Sequence, residues 1–349
     1  MRFDPPVWVS GCRTWLPPTA ETVKDAVAAA LIDARAAAAA GYAELPCSLD
    51  LSAPEMAVLA VRDALAQAAW DPATISLLAH AHIYYQGHDF WSPVAYIQDQ
   101  IGATDAVGYT LAQMCNGGTG AIELAAARLA ADEHARRALV TTADRFAAPE
   151  FDRWGGDYGV AYGDGATAIL LDREPGLARL LSSVTVLRGG LERMHRGDDG
   201  FAPAPRSRPG PVSVRRTKKA FLASAGRESF SKTALDALQL VLDTSLAEAG
   251  IDSGDPRVRW CLPPRLGRQV IDEAYRPVLA VNDHVAIPEW GTRTGHLGAG
   301  DVIANLADLI ACPDARQGDI ALLIGAGAGF SWSCTVAEIT RRDNTRSFR

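Results

Sequence analysis

The chain has 349 residues, 48% of them hydrophobic, and a formal net charge of −7. That is apolar material for a large core in two packed halves, so a disordered chain is set aside. The acidic balance argues against a general nucleic-acid binder, which would carry a basic excess.

The opening MRFDPPVWVS has an acidic residue and two prolines where a secretory signal needs an apolar stretch. The alanine-rich run 26–40 contains Asp33 and Arg35 and is shorter than a membrane span, so it reads as a soluble helix. Residues 54–70 have helical spacing, with Pro54 near the start. A strand follows at 75–83, then a helix at 92–102 ending on Gly102. Residues 106–114 read as a strand leading into a turn, and 118–133 as a long helix. Strands are expected at 137–144 and at 166–172, after the Gly-Asp-Gly turn 163–165. The second half continues with a helix at 228–249, a strand at 257–262 and helices near 266–276 and 300–311. Strands at 321–327 and 331–339 close the pattern, and the alternation predicts an α/β architecture. We divide the chain into an N-terminal half, 1–172, and a C-terminal half, 173–349. Residues 196–219, rich in Pro, Gly and Arg, read as a long loop, a kind of segment that often carries binding roles.

The six cysteines show no CxxC or zinc spacing and scatter through apolar segments, which fits a reduced, cytoplasmic protein. His80, His82 and His88 lie close in sequence, but no acidic or cysteine ligand at a convincing spacing supports a metal there, and no metal or cofactor is expected.

Four windows carry possible chemistry. Cys115 sits in QMCNGGTGAIELA, between a strand and a long helix. A thiol at a helix N-terminus faces the positive end of the helix dipole, which favours thiolate. Gly117 and Gly118 allow a tight turn and leave room for a thioester beside the sulfur. A buried structural cysteine is the plain alternative. In WGTRTGHLGAGD, His296 lies between glycines with Asp301 five positions on. A nucleophile needs a base, and the base an orienting group; a loop histidine beside a helix-capping aspartate is the alternative. The small residues of LLIGAGAGFSW, 322–332, let main-chain N–H groups approach a ligand. One of them, with the N–H of Cys115, can make an oxyanion hole, unless the segment is only a tight turn. YGDGATAILL, 162–171, reads as a structural turn before a buried strand.

Together and in this order, these windows resemble the ketoacyl-acyl-carrier-protein synthase III family of the thiolase superfamily. The resemblance implies a five-layered αβαβα thiolase fold built from two similar halves, a homodimer, and ping-pong chemistry through a thioester on Cys115. By position it gives the backbone N–H groups of Cys115 and Ala328 as the oxyanion donors. Chain-extending members use Cys, His and Asn, with the His in a Pro-His-Gln-Ala-Asn-like segment and the Asn in a Gly-Asn-Thr-Ser-like one. Here the first segment is LPPRLGRQVID, with Pro264 in the His position and Gly267 near the later Asn. In the second, GHLGAGD puts His296 in the Asn position. What remains is Cys115, His296 and Asp301. That pattern resembles a divergent subgroup of antibiotic pathways that moves an acyl group without decarboxylation, from a carrier-protein or CoA thioester to a hydroxyl, amine or thiol. The acceptor is a small molecule or is itself carrier-bound.

Carrier proteins are acidic, so a basic patch would steer docking. Arg206, Arg208, Arg215, Arg216, Lys218 and Lys219 are candidates, with Arg265 and Arg268 beside them; a solvated loop is the alternative. Trp91 and Trp154 are candidates for lining an acyl pocket. The competing functions are a decarboxylative condensing enzyme and a non-catalytic partner subunit of a synthase.

Overall fold

The structure is a computed structural model that describes residues 1–203, 210–279 and 284–340. Nine strands carry it: β1 (Arg2–Trp15), β2 (Leu77–Ala81), β3 (Val107–Leu111), β4 (Arg137–Asp144), β5 (Gly165–Asp172), β6 (Ala178–Leu187), β7 (Val258–Leu262), β8 (Ile320–Gly327) and β9 (Ser331–Ile339). Their order across the sheet is β3-β2-β4-β5-β1, then β6-β9-β8-β7. The order repeats in mirror fashion from the centre outward: first strand, last strand, the strand before the last, then the second strand. In each half the last strand, β5 or β9, runs antiparallel to both neighbours. The place of a third strand in the second half is marked by one parallel bridge, Trp260 to Ala286. The two sheets join edge to edge where β1 pairs with β6.

The main helices are α1 (Ala53–Ala68), α2 (Pro93–Ile101), α3 (Gly117–Ala131), α4 (Arg193–Arg196), α5 (Val214–Ala225), α6 (Arg227–Ala249) and α7 (Asp301–Ala311). The period of two in the strands sorts them into layers. In β4, Ala138 and Val140 face a core shared with α3 and α7, whereas Leu139 faces α1 and α2. In β8, Ala321 and Leu323 face that same shared core, whereas Ile320, Leu322 and Ile324 face α6. The succession is α1 and α2, first sheet, α3 and α7, second sheet, α6. This is the five-layered αβαβα thiolase fold.

Most elements lie within a residue or two of their expected places. The run 26–40 does not form one helix. It makes two short ones, Val23–Ala28 and Ala34–Ala40, because Asp33 leaves the helix and caps the second, accepting from Ala36 N at 2.9 Å. Residues 214–219, the end of the segment read as loop, instead begin helix α5, started by Ser213, whose side chain accepts from Arg216 N. β1 and β6 escaped the sequence reading. In β1, Pro5 and Pro6 mask the strand, yet Phe3, Val7, Val9 and Cys12 are buried in the central core. No described helix is long and apolar enough to cross a membrane.

Candidate active site

Cys115 lies in a single turn, Met114–Asn116, between β3 and the start of α3. Met114 before it takes φ +51, a conformation L side chains rarely adopt, so the chain turns sharply at the sulfur. Two glycines of β8 make close contact with this turn. A Cβ on Gly327 would stand 2.8 Å from Asn116 N, and one on Gly325 2.3 Å from Asn116 Oδ1. The turn after β8, with Ala328, thereby comes beside Cys115, and both line one cavity of about 490 Å³.

His296 lines the same cavity. Its backbone is pinned to the Gly-Asp-Gly turn: His296 N donates to Ala161 O at 2.8 Å, and Gly163 N donates to His296 O at 3.1 Å. The turn itself is structural. Asp164 is buried, accepts from Ser48 N and Phe146 N, and pairs with Arg153. Asp301 is the first residue of α7. Its Oδ2 lies 2.6 Å from His296 Nδ1 and accepts from Arg265 N at 2.8 Å, while Oδ1 accepts from Leu297 N at 2.8 Å. With Nδ1 engaged, the other ring nitrogen of His296 serves the hydrogen bond to Cys115. Burial by itself would push the His296 imidazole down, but the Asp301 carboxylate and the Cys115 sulfur outweigh it and hold it well above its ordinary range. Burial likewise works against ionised Asp301, and His296 with Arg265 keeps it below the usual carboxylate range. Burial pushes the thiols of Cys47 and Cys334 up to about 12.

Arg265 is no docking residue: it is 3% exposed, bonded to Asn305, Thr294 and Asp308, and its N–H helps fix Asp301. A charge buried among these partners cannot steer an incoming protein. Trp154 is buried against Glu21 and Trp91 stands half-exposed beside Tyr96; neither lines the cavity, whose tryptophan is Trp332. Gly118 does not clear space for a thioester. Its missing side chain makes room for the Ala299 carbonyl, which a Cβ would approach to 2.4 Å.

Of the remaining docking candidates, Arg206 and Arg208 lie outside the described residues. Arg215 donates to Asp157 O, Lys218 pairs with the Asp157 carboxylate, Arg216 with Asp199 and Arg268 with Glu289. Lys219 is exposed on α5.

Several site residues were missed in the sequence. Tyr162 and Tyr275 line the cavity; burial raises both phenols, and the Cys115 sulfur adds to it. Tyr162 immediately precedes the Gly-Asp-Gly turn, the one signal that marked its neighbourhood. Asp144, at the end of β4, accepts from Ile83 N, Tyr84 N and Ala299 N, and burial pushes it up to about 7 against those donors. Pro264 lines the cavity and brings no donor there.

Residues 109–189 match the family model of 3-oxoacyl-[acyl-carrier-protein] synthase III, and 246–339 match that of its C-terminal part. The acyltransferase ChlB3 superposes with a TM-score of 0.87 at 30% identity, over 97% of this chain and 99% of that one. The chain belongs to the ketoacyl-acyl-carrier-protein synthase III-like family. Among its relatives, the beta-ketoacyl-[acyl-carrier-protein] synthase III of Brucella anthropi is 26% identical over 288 residues, 82% of this chain and 84% of that protein. The priming beta-ketosynthase of the R1128 polyketide pathway shares the fold, with a TM-score of 0.75 at 22% identity over 97% of each chain. Within the synthase III-like family, then, this member carries Pro264 and His296 at the cavity that holds its cysteine.

Proposed function

We propose that this chain is a cysteine-dependent acyltransferase that works without decarboxylation. The Cys115 thiolate attacks the carbonyl of an acyl thioester, and the tetrahedral oxyanion rests on the N–H groups of Cys115 and Ala328. Collapse breaks the donor C–S bond. The departing thiol takes its proton from the His296 imidazolium, leaving the acyl group on Cys115. His296, now neutral, takes the proton of an acceptor hydroxyl, amine or thiol as that atom attacks the enzyme thioester; the acyl–Cys115 C–S bond then breaks, and the cysteine leaves as the thiolate beside the imidazolium. Asp301 on Nδ1 fixes the tautomer and supports the imidazolium.

The observation that carries this reading is the Cys115–His296–Asp301 contact set with Pro264 on the cavity wall. Claisen condensation of a malonyl thioester needs donors to hold the enolate as carbon dioxide leaves, and a proline there supplies none. The likeness to ChlB3 and to the R1128 synthase supports a place in polyketide or antibiotic biosynthesis. The donor is an acyl carrier protein or acyl-CoA, and the acceptor a small molecule or a second carrier. The protein acts in the cytoplasm as a homodimer. Support for the dimer comes from β3, an edge strand with Val107 and Tyr109 exposed, an arrangement that invites pairing with a second copy.

The test is intact mass after incubation with a panel of acyl thioesters, including carrier-bound ones. A one-acyl increase that is absent in Cys115→Ala supports the reading. Carbon dioxide from a malonyl thioester, with a ketoacyl product, would replace it with condensation. No adduct from any donor would move the chain to a non-catalytic partner role.

A further inference from the structure

The cavity at Cys115 is also lined by His195 of α4 and by Arg215 and Lys218 of α5. Lys218 is committed to Asp157, with Nζ at 2.7 and 2.8 Å from its two carboxylate oxygens. Arg215 gives a terminal nitrogen to the Asp157 carbonyl at 3.2 Å and lays its guanidinium over the Tyr158 ring, 4.7 Å from its centroid and within the reach of about 6 Å of a cation–π contact. Two polar atoms are left over. Nδ1 of His195 and Nε of Arg215 are both buried without a hydrogen-bond partner. An unpartnered buried polar group is destabilising, because it gives up water without a replacement. Two of them on residues that line one cavity call for an explanation, and a ligand is the direct one.

The chemistry of the pair narrows the ligand. Arg215 Nε only donates. The His195 ring packs on Phe330, with centroids 5.3 Å apart. Burial first, and the Lys218 ammonium second, push its imidazole down to about 4, so the ring is neutral near pH 7 and Nδ1 accepts or donates with its tautomer. The carboxylates of the lining, Asp157 and Glu273, offset Lys218 and Arg227 in number, so Arg215 leaves the lining with a net positive charge. An oxygen atom suits both orphans: it accepts from Arg215 and exchanges a hydrogen bond with His195.

We propose that His195 and Arg215 form a recognition subsite for an oxygen function that the substrate carries beyond its thioester carbonyl, either a carboxylate or a hydroxyl. The subsite rests on the acyltransferase reading above, and it names the substrate class that reading leaves open. His195 and Arg215 select the substrate and take no part in the bond making at Cys115.

The test separates binding from transfer. Cys115→Ala protein, which cannot be acylated, is titrated by calorimetry with three pantetheine thioesters of equal carbon number: butyryl, 3-hydroxybutyryl and succinyl. One oxygenated thioester is expected to bind about tenfold tighter than butyryl. Adding His195→Phe or Arg215→Met removes that preference and leaves butyryl binding in place, which also shows that the fold survives. His195→Gln, which keeps a polar atom, retains part of it. The thioester that gains distinguishes carboxylate from hydroxyl. Equal binding of all three, binding of none, or a preference that survives both substitutions overturns the subsite. Failure of the transfer reading looks different: the preference is present, but wild-type Cys115 takes up no acyl group.

Discussion

A Cβ on Gly118 would stand 2.4 Å from the carbonyl oxygen of Ala299. Gly118 is the second residue of the helix behind Cys115, and Ala299 follows three residues after His296. The two halves thus meet backbone to backbone at the site, and Gly298, with φ +62 against Asp144, tightens the same contact.

Gly118→Ala must push the His296 loop away, because a backbone carbonyl cannot swing aside as a side chain can. We expect about 1–3 kcal/mol of destabilisation and a weakened hydrogen bond from His296 to Cys115. Chemical denaturation and the rate of acyl transfer check both. An alanine variant with unchanged stability would show that the contact has slack.

His296→Ala separates the two half-reactions. The acyl adduct on Cys115 is expected to form more slowly, because the departing thiol loses its proton donor, and then to persist, while onward transfer falls by about 10²–10⁴-fold. Single-turnover mass spectrometry reads both steps. Transfer at the wild-type rate would remove His296 from the acceptor step.

Asp301→Asn should change how stability depends on pH. A histidine whose pKa is raised by folding stabilises the fold fully below its ordinary 6.5, and that contribution is lost as pH rises through the folded value. A lowered aspartate contributes above its ordinary 3.8 and loses that as pH falls through the folded value. The pair therefore supports the fold most between 3.8 and 6.5 and fades on the alkaline side. The wild-type melting temperature is expected to drop more steeply than that of Asp301→Asn as pH is raised from about 6.5 to about 9. Parallel profiles would contradict it.

Arg265→Met removes a buried charge that serves Asn305, Thr294 and Asp308. Breaking such a set costs about 3–5 kcal/mol where every partner is buried; Asp308 is partly exposed, so the lower end is expected. The Arg265 N–H to Asp301 is main-chain and remains, so transfer should fall less than in Asp301→Asn. Denaturation midpoints and transfer rates, measured together, decide it.

Tyr109→Lys on β3 places a charge on an exposed edge strand. If that edge pairs two copies, sedimentation velocity will show a dimer for wild type and a monomer for the variant. A dimer in both would move the interface elsewhere.

The sequence by itself determined the alternation of elements, the turn at Cys115 and the pairing of His296 with Asp301. These are local matters: periodicity, glycine and helix-start chemistry act within a few residues. It was weaker wherever distant contacts override local preference. Pro5 and Pro6 hid β1, which the central core nonetheless buries. Arg265 looked like one more surface cation, because nothing nearby in sequence reveals that Asn305 and Asp308 enclose it. The basic stretch around 215–218 read as a docking loop, yet Arg215 and Lys218 turn inward to Asp157. Which side of a helix faces a cavity is set by the packing of elements far apart in the chain, so only the tertiary structure could bring His195, Arg215 and Cys115 to one cavity.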